Sequence, residues 1–249
     1  MHSILSLPPV QLLLAIVLFV VVGTGVAMLL LFGLRRAFRT SSMAVPVATF
    51  ISTVATAWAL ALGFAAADVW TLRADADKAA FAERSSVMRL VGMADTQALD
   101  IPELREAIID YVALVTTDEW GAGLNSRPHT GVDDALQAIR LAIIDLAYGE
   151  APEALVDKAV NDFDELQDAR NARLGVGESV VDEAKWYLVV ILTVMSMTTI
   201  GACHLDRPVA GFNALWIYGI VVVASLWVLG IHINPYTHLA IPFEAIDAV

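Results

Sequence analysis

The histidines are the first residues to test for chemistry, because imidazole nitrogens are common metal and haem ligands and there are five of them. His204 and His232 stand at opposite ends of two adjacent apolar segments, roughly 30 Å apart, too far to share one ion within a chain. His232 and His238 flank a turn at Pro235, with Asn234 and Glu244 nearby. Interfacial histidine with a satisfied hydrogen bond is the better explanation for both. Asp162-x-Asp164 opens like a calcium loop, but the glycine that such a loop needs downstream is missing, so it reads as the solvated face of a helix. Gly175-Val-Gly177 follows no strand and reads as a helix stop, not a nucleotide loop. Hydrolase elbow, Walker loop, paired CxxC and HExxH patterns are all missing. No enzymatic activity, metal or cofactor is expected.

One set of polar residues does recur at a spacing with a purpose. Thr49, Ser52, Thr53, Thr56, Gly63 and Ala67 fall on one side of an apolar segment at three- and four-residue intervals. In lipid such a stripe either lines a wet pathway or lets helices pack closely through interhelical hydroxyl bonds, and both readings stay open.

The elements that must carry these residues follow from composition. The chain has 249 residues, of which 58% are hydrophobic and 17% charged, with a mean hydropathy of +0.68. A soluble domain holds roughly 45–50% apolar and about 25% charged residues, so this is a membrane-protein composition. Four windows are almost free of charge, at residues 10–34, 45–67, 186–203 and 212–233. Each approaches the roughly 20 residues that cross a 30 Å hydrocarbon core as a helix. The first lacks a basic leader and ends at Arg35, Arg36 and Arg39, which favours a span over a cleaved signal. Gly23, Gly25 and Ala27 within it suit close approach of another helix.

Charge is segregated from these windows. Residues 73–185 hold 23 acidic and 11 basic side chains and so account for the whole formal net charge of −12. No basic patch exists to neutralise phosphates, which excludes nucleic acid as a partner. The single Cys203 says nothing about redox compartment. The two short connections, residues 35–42 and 204–211, carry the remaining basic residues and by the positive-inside tendency face the cytoplasm.

The sequence therefore predicts an all-α integral membrane protein: four transmembrane helices, with an acidic helical bundle between spans 2 and 3. Residues 1–72 form the first hairpin, 73–185 the extramembrane domain, and 186–249 the second hairpin with a short tail. The second span continues without a Gly or Pro break to about residue 96 as one long helix, half in lipid and half in water. Asp100 is the expected cap of the next helix, with Pro102 and Glu103 in its first turn and Leu104, Ile108, Tyr111 and Val115 as its apolar stripe. Asp133 or Asp134 starts another, with Leu136, Ile139, Ile143 and Leu146 on one face. The last carries Leu155, Ala159, Phe163, Leu166 and Leu174 until Gly175 and Gly177 end it. Asp68, Trp70, Trp186, Tyr187, His204 and Arg207 are the expected membrane-interface residues.

Several of these pieces together resemble a bacterial family of four-span membrane proteins labelled bestrophin-like. They are Leu62-Gly63-Phe64 with Asp68 and Trp70, then Ala79, Ala80 and Glu83, then Glu183, Lys185, Trp186 and Tyr187, and His204-Leu-Asp206-Arg207. The family's charged tail motif is replaced here by Asn234-Pro235-Tyr236-Thr237-His238. The resemblance implies an oligomeric ion channel. True bestrophins pass anions, whereas an acidic water-facing domain concentrates cations. The expected protein is thus a homo-oligomeric channel in the bacterial inner membrane, in contact with lipid. The alternative is an accessory or scaffold subunit of a larger membrane complex, its acidic domain docking a basic protein.

Overall fold

The computed structural model describes residues 7–38, 48–122, 125–149, 151–178, 183–204 and 207–236. Among them every regular element is helical: α1 (Pro9–Phe38), α2 (Ala48–Ala94), α3 (Pro102–Leu114), a π-helical stretch (Val115–Ala122), α4 (Thr130–Tyr148), α5 (Glu153–Glu178), α6 (Glu183–Cys203) and α7 (Pro208–Ile231). Four helices are long and apolar enough to cross a membrane, so the protein is a multi-pass membrane protein. The chain divides into two units, Met1–Trp70 with Val180–Ile233, and Thr71–Ser179 with Asn234–Val249.

The first unit contains α1, the first part of α2, α6 and α7. Its interior is built from Leu12, Ile16 and Val20 of α1, Trp58, Ala61, Ala65 and Val69 of α2, Val189 and Met197 of α6, and Leu215, Val222 and Leu226 of α7. The α2 residues recur every three or four positions and define one buried face. α1 and α7 run antiparallel in close contact: a Cβ placed on Gly219 would lie 2.9 Å from Val20 Cγ1, and one on Gly230 would lie 2.6 Å from Leu12 Cδ2. Only glycine admits that approach, as packing between lipid-immersed helices requires. A Cβ on Gly23 would lie 3.2 Å from Met197 Sδ, whereas one on Gly25 would meet open space. Two indole donors in this interior are paired across helices, where lipid offers no substitute partner. Trp58 Nε1 donates to Thr193 Oγ1 at 2.8 Å and Trp227 Nε1 to the Pro9 carbonyl at 3.2 Å.

The second unit is a helical bundle of the continuing α2, α3, α4 and α5. Val87, Leu90, Leu104, Ile108, Leu136, Ile139, Phe163 and Leu166 fill its core, so the stripes expected on α3, α4 and α5 all point inward. Several helix ends differ from expectation. Ile101 caps α3 and makes no side-chain cap bond, while Asp100 adopts a left-handed φ of 52° in the preceding turn. α4 begins at Thr130, not at Asp133 or Asp134, because the His129 ring accepts from the Gly131 amide at 3.3 Å. α5 runs through Gly175 and Gly177 to Glu178. Gly177 is present because a Cβ there would lie 1.8 Å from the Asn125 carbonyl oxygen. Asn234–Tyr236 groups with this unit, although the sequence places the tail with the second hairpin.

Candidate functional site

The hydroxyl stripe of α2 lies on the helix face opposite Trp58, Ala61, Ala65 and Val69. Thr49, Ser52, Thr53, Thr56, Gly63 and Ala67 are all exposed on a single chain, and they do not contribute to packing within it. Thr56 returns its hydroxyl hydrogen to the Ser52 carbonyl at 2.8 Å, which satisfies the donor and leaves the oxygen lone pairs outward. Phe64 and Leu60 are the bulky exposed neighbours of this stripe.

Several of the residues expected at the membrane interface make specific contacts. Asp68 accepts from Lys185 Nζ at 2.6 Å, joining α2 to α6 with both side chains partly exposed. The Trp70 and His232 rings lie 5.1 Å apart, and the same histidine sets its Nδ1 2.7 Å from the Val228 carbonyl. Tyr187 is half-exposed. Trp186 is only 2% exposed and packs in the unit's core. His204 Nδ1 lies 2.8 Å from the Ile200 carbonyl, so this imidazole is locally satisfied. Arg207 is exposed at the N-terminus of α7. His238 and Glu244 lie outside the described residues. No group of three or more metal-ligating side chains occurs among the described residues.

The most heavily engineered polar arrangement was not among the expected site residues. Glu83 of α2 and Arg173 of α5 are both fully buried in the second unit. Arg173 Nε donates to Glu83 Oε2 at 2.5 Å and Nη2 to Oε1 at 3.0 Å, a bidentate fork. Nη2 also donates to Glu119 Oε2 at 2.8 Å, and Nη1 to Asn125 Oδ1. Arg170, one turn earlier, donates to Glu119 and to Asp133 Oδ1 at 2.8 Å. Tyr111 donates its phenolic hydrogen to Glu83 Oε1 at 2.6 Å, the Trp120 ring lies under the Arg173 guanidinium at 5.4 Å, and Tyr236 caps the assembly by donating to the Arg173 carbonyl at 3.3 Å. The four fully buried or nearly buried charges Glu83, Glu119, Arg170 and Arg173 balance, which is the condition for keeping ions in a low-dielectric interior.

The electrostatics follow from these contacts. Burial pushes the Glu119 carboxyl up, but hydrogen bonds from Arg170 and Arg173 and from the His129 amide outweigh it and hold the group below the usual carboxylate range. Burial and then the Glu83 carboxylate push the Tyr111 phenol well above its ordinary value. Tyr236 is raised mainly by burial. A third buried carboxylate, Asp162, takes Arg89 Nε at 2.7 Å and Lys158. That corrects its reading as part of a solvated face; only Asp164 of the Asp162-x-Asp164 pair is exposed.

A local device brings Glu119 into this centre. The Thr116 and Thr117 hydroxyls bond back to the Val112 and Ala113 carbonyls at 2.5 and 3.1 Å, and the backbone widens into the π-helical stretch. Consecutive residues Glu119 and Trp120 are consequently both buried. A signal for the centre does exist in the sequence. Glu83 occupies the same phase as Ala76, Ala80, Val87 and Leu90, and Arg170 and Arg173 continue the stripe of Ala159, Phe163 and Leu166. A charge at a core position of an amphipathic helix marks a buried partner.

No curated protein matches the sequence. A crystal structure of a membrane protein matches with a TM-score of 0.64 at 15% identity, covering 94% of each chain, and this shows a shared fold. The Bestrophin-like domain matches residues 14–244, nearly the entire length that the four spans and the buried charge centre occupy. The chain therefore belongs to the Bestrophin-like family.

Proposed function

We propose that the protein is an oligomeric ion channel in which the exposed hydroxyl face of α2 lines the pathway. The observation that carries this reading is the placement of Thr49, Ser52, Thr53, Thr56 and Gly63 on the face of α2 that the single chain leaves uncovered. Packing between α2 and its own neighbours uses the opposite face, so intrachain helix packing does not account for the stripe. Copies arranged around an axis would turn these hydroxyls toward one another and toward water. Membership of the Bestrophin-like family supports a channel over an enzyme. The net charge of −12 in the extramembrane segment raises local cation concentration, so potassium is the expected permeant class over chloride. The basic connections at residues 35–42 and 204–211 face the cytoplasm of a bacterial cell in this reading.

The test is flux through purified protein in liposomes under separate potassium and chloride gradients. Potassium flux that Thr56→Trp abolishes, in a variant with unchanged oligomer size, is the expected result. Flux that ignores this substitution removes the stripe from the pathway.

One observation favours a second reading, an accessory subunit. Leu141, Ile144 and Tyr148 form an exposed apolar stripe on α4 beside the exposed carboxylates Asp134 and Asp145. A basic, apolar partner fits that surface. Stoichiometric recovery of such a partner at low salt supports it, and isolation of a clean homo-oligomer counts against it.

A further inference from the structure

We propose that the groove between α1 and α7 holds an acyl chain of one anionic phospholipid, with its headgroup phosphate at Arg207. The groove has a volume of about 430 Å³ and is walled by Val17, Val20 and Thr24 from α1 and by Phe212, Gly219 and Ala224 from α7. Ala224 widens the slot by supplying almost no side chain along α7, while Gly219 lets Val20 of α1 pack against the backbone beside it.

Its length is that of one leaflet. Phe212 and Ala224 are twelve residues apart, about 18 Å along a helix axis, close to half of a roughly 30 Å hydrocarbon core. A lipid chain is the apolar object of this length in the surrounding medium.

Charge at one end selects the lipid. α1 and α7 are antiparallel, with Leu12 against Gly230 and Val20 against Gly219, so the Phe212 end of the groove opens toward the start of α7. Arg207 is exposed there, five residues or about 7.5 Å before Phe212. No side chain caps the first turn of α7, so its positive end adds to the guanidinium. A phosphate at this position completes a lipid whose tail descends the groove. The assignment does not rest on the channel reading.

The experiment is native mass spectrometry of the full chain in mild detergent, titrated with phosphatidylglycerol or with phosphatidylcholine of the same acyl length. One phosphatidylglycerol per chain is expected, retained roughly fivefold more strongly than phosphatidylcholine, the preference that one interfacial cation supports. Arg207→Gln should erase that preference while leaving lipid bound. Ala224→Trp, or Val21→Phe from the α1 side, fills the slot and should lose both lipids with unchanged thermal unfolding. Equal lipid retention by the filled variants and the unaltered chain overturns the site. So does efficient crosslinking of Ala224→Cys between two copies, which would make the groove a contact between chains.

Discussion

Arg173 of α5 and Glu83 of α2, ninety residues apart in sequence, meet in a two-pronged ion pair with no exposure of either side chain. Replacing both by apolar residues removes two desolvation costs together, but replacing one strands the other. Arg173→Met should therefore lower the stability of the full chain in detergent by about 3–5 kcal/mol, since Glu83 loses its guanidinium partner and Glu119 one of its two. Arg173→Lys keeps the charge without the planar fork and should fall between. Thermal unfolding checks both. A change below about 1 kcal/mol for Arg173→Met would mean the pair is hydrated in solution.

The same centre sets a pH window. Glu119 has a depressed folded value, so its stabilisation is present above the ordinary glutamate value of about 4.3 and is lost as pH falls through the lower folded value. Tyr111 and Tyr236 have raised folded values, so theirs is complete below about 10 and declines as pH climbs through the higher folded values. Stability against pH should be flat between these limits. Tyr236→Phe should soften the alkaline decline, and an unchanged alkaline limb in that variant and in Tyr111→Phe would assign the loss to other groups.

Two glycines two residues apart should respond in opposite directions to the same substitution. Gly175→Ala adds a methyl in open space on a helix and should stabilise by about 0.5–1 kcal/mol through helix propensity. Gly177→Ala drives a methyl into the Asn125 carbonyl and must displace the loop that carries Asn125 to Arg173. A loss of roughly 1–3 kcal/mol is expected from overpacking. Similar melting temperatures for the two variants would contradict this close approach.

The Asp68–Lys185 pair should matter far less than its short distance suggests. Both side chains are more than a third exposed, and a screened pair of that kind contributes about 0–1 kcal/mol. Lys185→Met should shift unfolding only slightly, with a shift that shrinks further as salt is added. A large, salt-independent loss would place the pair in a drier setting.

The parts of this fold that were legible in the sequence are those governed by apolar phase. The four spans, the unbroken α2 and the inward faces of α3, α4 and α5 all follow from hydrophobic residues repeating at helical spacing, as with Leu136, Ile139 and Ile143. The Thr49–Gly63 stripe was legible as a stripe, and its exposure required knowing which face of α2 its neighbours cover. The buried charge centre was overlooked because Glu and Arg at single positions ordinarily mean water, and their neutralising partners lie 51 to 90 residues away. Helix ends were misread for a related reason. Asp100 and Gly177 have the residue types of a cap and a stop, but a left-handed turn and a neighbouring backbone decide their roles.

The widened turn at Val115–Ala122 makes this region sensitive to backbone winding in addition to side-chain identity. A π-helical turn spends more residues per revolution than an α-turn. An α-helix advances by about 100° per residue and a π-helix by less, so rewinding this stretch to ordinary pitch with its residues kept swings everything downstream onto another face. Glu119 would then rotate away from both arginines, although no residue of the charge centre had been altered. In this segment the winding itself carries information, and losing the wide turn should be as damaging as the loss of an arginine.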